Sequence, residues 1–183
     1  GRVITPDHPD FAQWRPARDR FEQRLQQVTS RRLGFIPARP ELRDALAHMF
    51  LHGGTGHLAG NMIFPVLVGS VVEAVVGRLR YLGLYLLGGL IAVAFFAVVH
   101  PHSAAPLVGA SGAISGLMGA YVVLFGRRRI PFFYSLGFYF GFARLPAVLM
   151  LPVWLGLEGY HFLSSGSSNV AYMAHFGGLA GGG

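Results

Sequence analysis

With 183 residues, 52% of them hydrophobic and 13% charged, and a mean hydropathy of +0.47, the chain lies outside the usual range of soluble domains, where about a quarter of residues carry charge. The net charge is +7 and all 15 basic residues are Arg, but in the apolar part these stand at the ends of hydrophobic runs, a pattern of membrane anchoring rather than nucleic-acid binding. Cysteine is absent, which excludes disulfides and thiolate metal sites.

Residues 1–44 are polar, with nine Arg and six acids, and have no apolar run that would read as a secretory signal. Residues 21–32 fit a short polar helix, and the stretch 1–46 reads as an outer loop or interfacial segment ahead of a membrane core over 47–183. Five apolar segments follow, at about 57–77, 81–99, 107–126, 145–163, and from 170 to the last residue. A spanning helix needs about 20 mostly apolar residues, so the expected fold is an all-α polytopic membrane bundle.

Charge asymmetry orients it. Arg78 and Arg80 separate the first two segments, and Arg127, Arg128 and Arg129 follow the third, so both of these loops are expected on the inner side. Residues 101–106 and 164–169 carry no Arg and face outward, in agreement with strict alternation. Residues 1–44 then fall outside, and an inside start requires one more helix before residue 1. The fifth segment is still apolar at Gly183. The sequence is therefore expected to lack a first helix and the end of the last.

This topology brings His57, Asn61, Ser111 and His175 to one depth near the outer side. Polar groups inside a bilayer are costly and usually mark function. A serine hydroxyl needs a base to take its proton, and His175 is the candidate. No Asp or Glu stands where it would orient that base, so the expected unit is a Ser–His dyad. His57 and Asn61, spaced i, i+4, share one helix face and offer side-chain N–H groups to a developing oxyanion, with the Ser111 amide as a third donor. Ser115, one turn deeper than Ser111, is a rival nucleophile whose alternative reading is a small packing residue. Gly112, Gly116 and Gly119, with Gly178, Gly181 and Gly182, read as close helix packing of the small-xxx-small kind, which would bring the dyad together.

His48 and His52 are also spaced i, i+4, but without a third ligand they read as structural rather than as a metal site. Glu73 and Arg78 read as structural polar contacts at the inner end, and Glu158 as a hydrogen-bonded packing residue. His8, His100, His102 and His161 read as loop or interfacial residues.

Taken in order, Phe50-Leu51-His52-Gly53-Gly54, His57-Leu58-Ala59-Gly60-Asn61-Met62, Gly77-Arg78-Leu79-Arg80-Tyr81, the run from Gly109 to Gly116 and the run from Ala171 to Gly178 resemble the rhomboid family of intramembrane serine proteases, from about Gly34 to the end. The resemblance implies a six-helix core, here without its first helix and with the last one cut short. It implies Ser111 as nucleophile, His175 as general base, and His57 and Asn61 with the Ser111 amide as the oxyanion hole. It implies that His52 and Glu73 are structural, that no cofactor or metal is used, and that transmembrane protein substrates are cut near the outer face of the bilayer. One departure stands out. Some relatives place a tyrosine against the histidine one turn after the nucleophile, where this chain has Ser115, so the contact orienting His175 must come from elsewhere.

The functional expectation is an intramembrane serine endopeptidase. The alternative is a catalytically inactive rhomboid-like protein that binds membrane clients. A transporter would favour charges at the midplane and an internal repeat, and neither is found. A substrate helix is expected to enter laterally past the fourth segment, which Pro146 and Pro152 loosen, and to unwind before cleavage. The compact loops favour a bacterial plasma membrane. The sequence does not fix the oligomeric state.

Overall fold

The computed structural model describes residues 6–156 and 170–183. Two polar helices come first, α1 (Phe11–Gln27) and α2 (Thr29–Leu33). The first helix starts ten residues before the expected polar helix, where the Asp10 carbonyl accepts the Gln13 and Trp14 amides at 3.2 and 2.9 Å. Helix α3 (Leu42–Ala47) and a 3-10 turn over His48–Phe50 lead into the membrane core.

The first apolar span, Thr55–Val76, is continuous in length but not in geometry. It consists of α4 (Thr55–Phe64), a π-turn over Pro65–Gly69, and α5 (Ser70–Val76). Pro65 has no N–H to give its helix, and the ladder slips by one residue so that the Ser70 amide bonds the Pro65 carbonyl. The slip leaves the Val66 carbonyl without its usual amide, and the Ser70 hydroxyl takes that place at 2.7 Å. Gly77, at φ +83, turns the chain into α6 (Arg78–Val99). Each of these 22-residue spans rises about 33 Å, enough for a hydrocarbon core of about 30 Å.

Helix α7 is shorter, Ser111–Phe125. The expected segment began at 107, but residues 107–110 are held out of the helix. Leu107 pairs with Phe35 through two backbone bonds, 2.7 and 3.0 Å, and Gly109 sits at φ +124, a conformation closed to most side chains. A hairpin follows that hydropathy did not reveal. Strands β1 (Arg129–Leu136) and β2 (Tyr139–Pro146) pair antiparallel from Leu136↔Tyr139 to Arg129↔Pro146. Gly137 at φ +62 and Phe138, whose φ is not positive, close it as a type II′ turn. Helix α8 (Ala147–Gly156) opens on a 3-10 turn, two residues after the fourth apolar segment was expected to begin. The remainder of that segment, with Glu158 and His161, lies outside the described residues. Helix α9 (Val170–Gly182) is the fifth segment, where expected.

Helices α6, α7 and α9 meet through glycine. A Cβ built on Gly116 falls 2.8 Å from the Gly88 Cα, one on Gly112 falls 2.7 Å from the Ala92 Cβ, and one on Gly182 falls onto the Gly116 carbonyl. At the Gly116 crossings backbone touches backbone, and Gly112 meets the Ala92 methyl. The largest apolar cluster lies beside them and joins Phe64, Val68 and Val72 to Ile114, Met118, Tyr121 and Trp154. The outer faces are apolar as well: Val66, Leu79 and Val98 are 68, 87 and 80% exposed, as suits a bundle whose solvent is lipid.

Candidate active site

Ser111 is the first residue of α7, and the chain ahead of it is fastened by three backbone hydrogen bonds at two residues. Leu107 is paired with Phe35, and the Gly109 amide donates to the His48 carbonyl at 2.9 Å. His48 itself is buried, its imidazole bonding the Ala45 carbonyl at 3.0 Å, and burial pushes its pKa down to about 4. Ala110, just before the helix, offers no side-chain cap, so the first-turn amides of α7 keep the unclaimed N–H groups that every helix start carries.

His57 lies in the first turn of α4, and its Nδ1 accepts the Gly53 amide at 3.2 Å, closing the helix start in the manner of a capping box. An Nδ1 that accepts leaves the proton of the neutral ring on Nε2. That Nε2 lies 3.1 Å from the point a Gly109 Cβ would occupy, and Ser111 Oγ lies 3.7 Å from the same point. The side chain that Gly109 lacks is thus the space shared by the His57 donor and the Ser111 hydroxyl.

His175 reaches the same level through helix register. In the α7–α9 packing, Gly178 lies against Gly112, and Gly182 lies against Gly116. The two helices therefore run parallel with an offset of 66 residues, which sets His175 opposite Gly109 and two residues short of the level of Ser111. The imidazole is buried, its ring 5.6 Å from that of Trp154 on α8, and His57 is near enough to act on it electrostatically. Trp154, fully buried, also meets Phe64 of α4 edge to face at 6.4 Å. Sequence reasoning required an orienting contact for His175 but did not name Trp154. The signal was a tryptophan, one of two in the chain, inside an apolar segment.

Other expected residues are placed less directly. Asn61 shares the face of His57 and is buried, but its Nδ2 donates to the His57 carbonyl at 2.8 Å, within its own helix. Ser115 is fully buried, its hydroxyl donating to the Gly112 carbonyl at 2.7 Å and lying against Gly178. His52 stacks edge-on against His57 at 5.4 Å. Glu73 and Arg78 form an ion pair at 3.5 Å, 16 residues or about 24 Å along the span from His57.

Comparison with known proteins agrees with this architecture. A family model described as Rhomboid domain matches residues 39–183. The chain is 31% identical over 153 residues to Rhomboid-related protein 2 of Mus musculus, covering 78% of this chain and 48% of that protein. It is 32% identical over 145 residues to Rhomboid protease GluP of Bacillus subtilis, covering 79% of this chain and 25% of that protein. A shorter match, 40% identity over 74 residues, covers 40% of this chain and 9% of Rhomboid-like protease 5 of Toxoplasma gondii. The chain thus spans half or less of the length of these relatives. The chain, a glycine-packed bundle of apolar helices with a domain match over most of its length, belongs to the rhomboid family.

Proposed function

We propose that this protein is an intramembrane serine endopeptidase in which Ser111 is the nucleophile and His175 its general base. The observation that carries the reading is that the Ser111 hydroxyl and the His57 Nε2–H both border the position of the missing Gly109 side chain, opposite which the α7–α9 register sets His175. A relative over most of this chain, GluP, is named a protease.

In the proposed reaction, His175 takes the Ser111 proton as Oγ attacks a substrate carbonyl. The oxyanion forms where the Ser111 amide and the His57 Nε2–H point, with the remaining Asn61 N–H as a further donor. One such donor is worth about 10²–10³ in rate. His175 then protonates the leaving amine, and water releases the acyl group. No cofactor or metal enters. Helix α7, about 22 Å long, is shorter than the hydrocarbon core, so with its Arg127–Arg129 end at the inner boundary Ser111 sits below the outer one. Substrates of matching chemistry are transmembrane protein segments, unwound near that outer face. They enter beside α8, where Trp154 on Phe64 is the contact to part. The polar stretch 1–46 serves as an outer interfacial segment before the catalytic core, His52 and Glu73 support the fold, and the site faces the outer side of the membrane.

The test is fluorophosphonate labelling and cleavage of a model transmembrane substrate by the membrane-reconstituted protein. Labelling and cleavage lost in Ser111→Ala and His175→Ala but kept in Ser115→Ala support the dyad. Cleavage by Ser111→Ala at the wild-type rate overturns it. An unlabelled, inactive wild type favours a membrane-client binding protein.

A further inference from the structure

The hairpin of β1 and β2 has no part in the proposed chemistry. We propose that it is a membrane-surface anchor that lies in the inner-leaflet interface, with its aromatic end among the lipids and its arginines on anionic phospholipid headgroups.

Four observations lead there. First, the tip is bare on both faces: Phe138, Tyr139 and Phe140 are 99, 81 and 73% exposed, and neighbouring strand residues point to opposite sides. Second, among the described residues the hairpin joins the bundle near its base, where Ile130 packs on the core and the Val148 and Ala147 amides bond the Gly126 and Arg128 carbonyls at 2.9 Å each. A two-stranded hairpin is marginal in water unless a surface covers it.

Third, charge is sorted along the hairpin. Residues 130–143 contain no charged side chain, whereas Arg127, Arg128, Arg129 and Arg144 cluster at the base, and no described carboxylate pairs with any of the four. Arg129 and Arg144 fall on one face, because Arg129 is paired with Pro146 and Arg144 with Pro131, two positions on. Fourth, the hairpin leaves α7 and returns to α8 at the end opposite Ser111, the side that the arginine distribution assigns to the inner leaflet. Aromatic rings favour the headgroup level, and the anionic inner leaflet attracts basic clusters. Eight residues of strand extend about 26 Å, far enough to lie along that surface. The partner is therefore a lipid surface, and the inference does not depend on catalysis.

Because the chain has no cysteine, Phe138→Cys creates a single site for an environment-sensitive fluorophore. The labelled protein is reconstituted in vesicles of phosphatidylcholine, with and without phosphatidylglycerol. The expected result is blue-shifted emission, protection from aqueous iodide and quenching by lipid bearing a nitroxide near its headgroup. Phosphatidylglycerol should deepen that quenching about twofold. The combined Arg129→Gln and Arg144→Gln variant, which keeps Arg127 and Arg128 to hold topology, should lose the phosphatidylglycerol effect at an unchanged melting temperature. Full iodide access would put the hairpin in water and overturn the proposal. Iodide protection without lipid quenching would mean that another protein or a second copy covers it, with the same consequence. Lipid quenching that ignores both phosphatidylglycerol and the arginine substitutions would overturn the anionic-lipid assignment.

Discussion

Ser111 and Ser115 lie one helical turn apart with the same hydroxyl, and their surroundings separate them. Ser115 Oγ–H donates to the Gly112 carbonyl inside the α7–α9 contact, where neither water nor a substrate carbonyl can approach. Ser115→Ala should therefore change stability by about 1 kcal/mol or less and leave probe labelling intact. Gly109 behaves differently. Its φ of +124 and a Cβ position 3.0 Å from the His57 ring mean that Gly109→Ala strains the backbone and displaces the proposed oxyanion donor together. Cleavage by this variant should fall at least about 100-fold, a loss seen in kcat rather than KM. In the proposed dyad, Trp154 takes the orienting role that no described carboxylate fills. Its ring, 5.6 Å from that of His175, can hold the imidazole and attract the imidazolium formed when Ser111 gives up its proton. Trp154→Leu should lower kcat by about 10-fold or more, and Trp154→Phe should retain most of it, with KM moving little in either.

At the scale of elements, legibility followed apolar length. The helices α4–α5, α6 and α9 were readable because long apolar runs admit few other structures in a membrane. Three local devices were not. The π-turn at Pro65 depends on which carbonyl each amide chooses, which hydropathy does not encode. The late start of α7 comes from Phe35 pairing with Leu107, a contact between residues distant in sequence. The hairpin was hidden because its aromatic run matches a membrane segment in composition, and only Gly137 and the flanking arginines mark it as a turn between strands. The helix crossings, by contrast, were signalled by glycine spacing. Gly116→Val should push α7 from α6, since even a Cβ falls 2.8 Å from the Gly88 backbone. Melting in detergent should then drop by the equivalent of about 2 kcal/mol or more.

At the scale of the molecule, the site is assembled by register among packed helices. That Ser111 stands nearer a helix end than Ser115 was readable from the sequence. That His175 lies opposite Gly109 was not, because the 66-residue offset is set by where glycine meets glycine. Asn61 was expected as a donor from its helical spacing, but spacing does not reveal that its amide also closes a bond to the His57 carbonyl.

The same assembly predicts a dependence on pH. His48 is neutral in the fold, with its pKa lowered to about 4 by burial, and titrates near 6.5 when unfolded. Between these values the unfolded chain binds the extra proton. Stability is therefore full above about pH 6.5 and declines as pH falls toward 4, by roughly 3 kcal/mol in all. Melting curves between pH 7.5 and 4.5 should show this slope, and His48→Asn should flatten its share of it.

The backbone contact of Gly88 with Gly116 also bears on genetics. Where two side chains collide, a smaller residue on the opposite helix can restore the fit, and a damaging mutation has a natural partner for reversion. At this crossing the opposing residue is already the smallest there is. A selection for revertants of Gly116→Ala should return the original codon, or changes that re-tilt a helix from a distance, and none at position 88.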